Sequence, residues 1–146
     1  MADGITHAHY AQRTATALTF VGVVATIYHP VMLGIVAGGW LGRIVDPDLD
    51  IEDKHTQSEQ YVWKYNKLLG VLWSAYWYPY GAARGHRGVS HTWPRGTAER
   101  YIYALWLPLA ITFWAFDLVP CLCWWLLVFC GLSVQDGVHL WLDSEL

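Results

Sequence analysis

Four short polar segments hold the residues of this chain that can do chemistry. They are "THAH" with His7 and His9, "DPDLD" with Asp46, Asp48 and Asp50, "HRGVSH" with His86 and His91, and "QDGVHLWLD" with Asp136, His139 and Asp143. Mixed imidazole and carboxylate donors suit Zn²⁺, Mn²⁺ or Fe²⁺ better than Ca²⁺ or Mg²⁺, which prefer all-oxygen sites. Asp136, His139 and Asp143 stand at i, i+3 and i+7 and share one face of a helix. At the centre of an apolar membrane helix an Asp costs about 2.5–3.5 kcal/mol, so polar groups there mark function; the cost shrinks toward the helix end. In "PDLD" two carboxylates follow a proline and can approach one cation from two directions. Gly88 in "HRGVSH" permits a bend that folds both imidazoles inward.

Each segment also has a structural reading. Asp-Pro favours a turn. Asp46 stands three residues after Arg43, where an ion pair can form. His139 and Asp143 could be a core pair, His9 and His55 suit solvent, and His29 suits a turn at the far end. The case for a metal rests on the four segments arriving at one place, which depends on the elements that carry them.

Those elements are apolar. Hydrophobic residues make up 55% of the chain and charged ones only 14%, against roughly 25% charged in an ordinary soluble domain. That deficit points to a membrane protein or a very apolar core. Four apolar stretches emerge: Ala8–Tyr28, Val31–Val45, Tyr101–Phe116 and Cys121–Asp143. His29-Pro30 and Asp117 with Pro120 mark tight turns within two pairs. The expected fold is all-α, a four-helix membrane bundle of two helical hairpins with a long interfacial segment between helices 2 and 3. Residues 1–146 read as one membrane-embedded domain, with 46–100 as an interfacial, cytoplasmic insertion rich in Trp and Tyr. Val31–Val45 is short against the roughly 20 residues of a full span, so this hairpin either extends beyond the lipid or enters only part way.

Two hairpins place all four polar segments at one end of the bundle. The tight turns lack Lys and Arg, and the nine basic residues fall toward the polar end. By the positive-inside rule that end, both termini and the metal site are cytoplasmic. The first residues, "MADGITHAHYAQR", have no signal-peptide character. Gly34, Gly38 and Gly42 line one face of the second helix, a spacing that lets helices approach closely. The partner is another helix of this chain, or a second subunit in a homo-oligomer or larger complex. Cys121, Cys123 and Cys130 read as buried small hydrophobes with no disulfide framework. A net charge of −3 argues against nucleic acid, which leaves membrane lipid as the expected partner.

In this order and spacing the motifs "TH", "PDLD", "HRGVSH" and "HLWLD" resemble a known group over almost the whole chain. The group is the small predicted metal-binding membrane proteins, related to the YdjM-like membrane-bound metal-dependent hydrolases. The resemblance implies metal ligation by His7, Asp48, Asp50, His86, His91, His139 and Asp143. His9 stands where an acidic or polar residue would be expected. The family's hydrolase label is itself a prediction, so the resemblance speaks more strongly for metal than for a reaction.

A catalytic zinc takes three protein ligands and a water. The surplus of donors here implies one or two ions, zinc first, with manganese or iron as alternatives. Asp46 or Asp136, left off the metal, is the expected general base. Arg84 and Arg87 are the expected substrate-binding cations for a lipid phosphate or phosphodiester. The competing expectation is a structural metal that knits helix ends together in a larger assembly.

Overall fold

A computed structural model describes residues 4–50, 56–84 and 88–145; the side chains of residues 4, 5, 50, 57, 58, 84, 90 and 145 fall outside that description. Six α-helices and no strand are present among the described residues: α1 Gly4–Ala25, α2 Leu33–Leu41, α3 Gln57–Tyr65, α4 Lys67–Arg84, α5 Arg95–Ala115 and α6 Leu118–Glu145. Short 3₁₀ turns occupy Pro30–Met32, Pro47–Asp50 and Val89–His91.

The helices start and stop for local reasons. Pro30 cannot continue α1, and His29 caps the following turn by accepting a hydrogen bond from Val31 N at its Nδ1, 3.2 Å away. Thr56 and Glu59 form a reciprocal capping box at the start of α3. Asn66 ends α3 and opens α4, its Oδ1 accepting from Leu68 N and Leu69 N.

The expectation of four membrane helices needs correction. The 46–100 segment contributes helices α3 and α4, making six rather than four. Among the described residues one helix, Leu118–Ser144, is long and apolar enough to cross a membrane. Helix α2 has nine residues, about 14 Å of rise against a hydrocarbon core of about 30 Å. Helices α1 and α5 are longer but carry charged or imidazole groups toward their N-terminal ends, His7 and Arg13 in one and Arg95, Glu99 and Arg100 in the other. A four-helix membrane bundle is therefore not what the architecture establishes.

Helix α2 lies between α1 and α6, and glycine is what lets it sit there. A Cβ on Gly38 would collide with the Val128 carbonyl of α6, and one on Gly131 of α6 with the Ile35 carbonyl of α2. Gly34 faces the Trp124 carbonyl and Gly42 faces Gln135. The Gly34/Gly38/Gly42 face is thus occupied by α6 of the same chain. Buried Gln135 on α6 donates from Nε2 to Ala11 O at 2.9 Å and Gly39 O at 2.8 Å, so one side chain ties three helices together.

A second apolar centre joins Val45, Leu49, Trp77, Tyr80, Tyr101, Val128 and Leu132. It holds α4 against the Pro47–Asp50 turn and α5. Tyr76 and Tyr103 each donate a hydroxyl to the other's backbone carbonyl across the α4–α5 seam. Cys121 is buried as expected, but Cys123 and Cys130 are exposed on α6; all three are free thiols.

Candidate metal centre

Four elements bring five donors together. Helix α1 presents His7 near its N-terminus. The Pro47–Asp50 turn presents Asp48, held between buried Val45, Pro47 and Leu49. The Val89–His91 turn presents His91, and the C-terminal part of α6 presents His139 and Asp143, one helical turn apart.

The distances describe a shared centre. His139 Nε2 lies 3.5 Å from Asp48 Oδ1 and 3.6 Å from Asp143 Oδ2. His91 Nε2 lies 3.6 Å from Asp48 Oδ1 and 4.0 Å from Asp143 Oδ2. His7 Nε2 lies 3.4 Å from Asp143 Oδ1. These separations exceed an ordinary N–H···O hydrogen bond of about 2.9–3.0 Å. Two donors bonded to one tetrahedral zinc at about 2.0–2.1 Å stand roughly 3.3 Å apart, close to what is observed. His139 Nε2 is buried with no hydrogen-bond partner among the described residues. An orphaned imidazole nitrogen ringed by carboxylate oxygens fits a divalent cation, and the His/Asp donor set fits zinc, manganese or iron.

Two three-donor sets satisfy the distance requirement, His7, Asp48 and His139 in one and His91, His139 and Asp143 in the other. His139 belongs to both. Its Nδ1 lies 3.3 Å from His7 Nδ1, with the rings edge-on at 4.2 Å. With the proton on His139 Nδ1 and His7 accepting it, His139 Nε2 keeps its lone pair for a metal.

The carboxylates differ in environment. Burial opposes ionisation of Asp48, but His139 and His91 override it and hold the carboxyl well below the usual carboxylate range. Burial, reinforced by the neighbouring Asp48 charge, pushes Asp46 up to about 7, with His139 and Arg100 opposing. Asp46 Oδ1 is buried and has no hydrogen-bond partner among the described residues.

A cavity of about 310 Å³ opens beside the donors, lined by His7, Asp48 and His139 on one side and by Trp40, Arg43 and Leu142 among others. Its size suits a small organic ligand. Asp46 also faces it.

The remaining expected site residues are placed as follows. Asp136 is ion-paired with Arg100 of α5, and the two side chains are 1% and 0% exposed. Asp136 thus meets α5 through Arg100 while also lining the cavity beside His139 and Asp48. The ion pair between Asp46 and Arg43 that their spacing allows is not formed; the Arg43 guanidinium lies 5.1 Å over the Trp40 ring. His86 and Arg87 lie outside the described residues, as do His55 and the side chains of Asp50 and Arg84. His9 is exposed. Sequence reasoning missed Gln135 and Arg100. The available signal was weak: Gln135 stands beside Asp136 in an otherwise apolar helix, and Arg100 immediately precedes the apolar run that begins at Tyr101.

This all-helical arrangement with a His/Asp donor cluster at its polar end has the character of a metal-binding protein. The chain belongs to the family described as "Uncharacterized metal-binding protein (DUF2227)", which it matches over residues 2–142. No curated protein and no solved structure matches it.

Proposed function

We propose that the chain is a metal-dependent hydrolase acting at the cytoplasmic face of a membrane on a phosphodiester or phospholipid. One observation carries the reading: His7, Asp48, His91, His139 and Asp143, drawn from four distant segments, meet beside a cavity of about 310 Å³ that a substrate can enter. Membership of a metal-binding family supports the metal part of this reading.

Asp48, His91, His139 and Asp143 would hold a divalent ion, which would supply Lewis acidity toward a phosphoryl or carbonyl oxygen. The chain's own residues do the rest. His7 holds His139 through their Nδ1 atoms, in the orientation that directs His139 Nε2 toward Asp48 and Asp143. Asp46, on the cavity wall and outside both donor sets, accepts a proton from attacking water. Trp40 and Leu142 exclude bulk water from part of the cavity.

A membrane location is supported by the apolar surface at the opposite end. Ile27 and Tyr28 between α1 and α2, and Trp114, Phe116 and Val119 around the α5–α6 turn, are 67–89% exposed. A patch of that kind calls for a partner, and lipid fits the single long apolar helix.

Metal analysis of detergent-purified protein tests the proposal. Stoichiometric zinc, manganese or iron, lost in both His139→Ala and Asp48→Ala, is the expected result. Phosphodiester cleavage by the loaded wild type is then expected to disappear in Asp46→Asn with metal retained. A wild type that takes up no metal on reconstitution overturns the centre. A second reading, a structural ion in a larger assembly, draws on the donor count: with His7 orienting His139, the four donors Asp48, His91, His139 and Asp143 are enough to close a tetrahedral sphere and leave no open position. It predicts metal that is bound, required for thermal stability and without turnover.

A further inference from the structure

Among the described residues, Arg43 is the guanidinium that lines the cavity beside the donors, and its position is built. Residue Arg43 follows the last turn of α2. Its guanidinium lies over the Trp40 ring at 5.1 Å, a cation–π contact that orients it. Trp40 is itself fixed by a hydrogen bond from its Nε1 to Thr19 Oγ1 of α1, 2.9 Å long. Both Trp40 and Arg43 line the cavity together with His7, Asp48 and His139. Arg43 forms no ion pair among the described residues, although Asp46 and Asp48 are near in sequence. A half-buried guanidinium held by an aromatic face, with its charge left for the cavity, is arranged to receive an anion.

We infer that Arg43 forms an oxyanion subsite that takes the phosphoryl group of the substrate and holds it against the metal donors. The inference rests on the metal-centre reading and deepens it by naming the group recognised. A phosphoryl group offers two or three charged oxygens, enough to meet Arg43 on one side and the ion on the other. Inorganic phosphate and phosphate monoesters carry up to two charges on a tetrahedral group and meet the two cations more strongly than a singly charged, planar carboxylate does. The Ala8, Ile44 and Leu142 side of the cavity takes the organic part of the ester.

The test uses full-length protein in detergent, with metal content measured on every sample. Binding of inorganic phosphate is titrated calorimetrically for wild type, Arg43→Ala and Arg43→Lys, with acetate as the competing anion. The expected result is unchanged metal content, phosphate binding weakened roughly ten- to a hundredfold in Arg43→Ala, and a smaller loss in Arg43→Lys, which keeps charge but loses the planar fork. Glycerol 3-phosphate in solution and vesicles of phosphatidylcholine with and without phosphatidic acid separate a soluble ester from a lipid headgroup. Arg43 dependence in either arm supports the subsite. Loaded wild type that binds no phosphate, phosphate affinity equal in wild type and Arg43→Ala, or acetate that competes as well as phosphate, overturns the inference and leaves the metal centre standing. If wild type takes up no metal, the metal centre fails, and the same comparison on the metal-free protein decides the subsite. Binding lost in Arg43→Ala supports it, and binding unchanged or absent overturns it.

Discussion

At the scale of single residues, Asp136 and His139 are one helical turn apart yet do different work. His139 faces the donors; Asp136 faces Arg100. A buried pair of this kind is costly to break from one side, about 3–5 kcal/mol, and cheap to replace as a whole. Arg100→Met and Asp136→Leu are each expected to lower unfolding stability by about that amount, while the double substitution recovers most of the loss, as read by denaturant unfolding. Metal content in the double variant is expected to stay at the wild-type level. A turnover defect in Asp136→Leu that persists in the stability-restored double variant would place Asp136 in the chemistry. Of the clustered donors, His139 and Asp143 stood out because they interrupt an apolar run, where an unpartnered polar side chain is costly to bury, and His7, Asp48 and His91 because their polar segments fall at the same end of the hairpins. The Arg100 pairing was not, because i, i+3 spacing defines a face and not which neighbour that face meets. His7 is expected to show its orienting role separately: His7→Ala weakens metal binding by about 10- to 100-fold, whereas His139→Ala removes a donor common to both sets and abolishes it.

At the scale of elements, the glycine spacing was readable but its partner was not. Nothing in Gly34, Gly38 and Gly42 says whether the approaching backbone comes from the same chain. The contact with Val128 and Gln135 answers that within this chain. Gly38→Ala drives a methyl into a backbone carbonyl that cannot step aside, and overpacking of this kind costs roughly 1–3 kcal/mol or more. Because α2 leads directly into the Asp48 turn, the same substitution is expected to weaken metal affinity as well as the melting temperature. Gly137→Ala on α6 is the control, since an added Cβ there meets nothing within 4 Å; it is expected to stabilise the helix by up to about 1 kcal/mol. The α3 helix could have been read from Thr56 and Glu59, whose capping-box spacing is plain in the sequence. It was hidden by the mixed aromatic and polar composition of the segment around it.

For the whole molecule, the polar donors and the exposed apolar tips lie at opposite ends of the α5–α6 hairpin. In the proposed orientation the tips enter lipid and the metal end stays at the cytoplasmic surface. Two measurements check this. The chain is expected to remain with the membrane fraction after alkaline carbonate extraction. Bromine-labelled acyl chains are expected to quench Trp114 more than Trp93, compared through Trp114→Phe and Trp93→Phe. Equal quenching of the two would contradict the orientation. The apolar bias of the sequence was legible from composition alone. How much of each helix reaches lipid was not, because α2 is cut to nine residues by Pro30 at one end and Gly42 at the other.

His7 and its partner His139 are separated by 132 positions along the chain. The donor cluster is therefore a record of timing. As the ribosome works, His7 emerges early and cannot meet His139 until α6 has been made and has docked against α1 and α2. Metal captured at that moment joins the earliest helix to the latest, so uptake of the ion during biosynthesis would report that the chain has closed on itself.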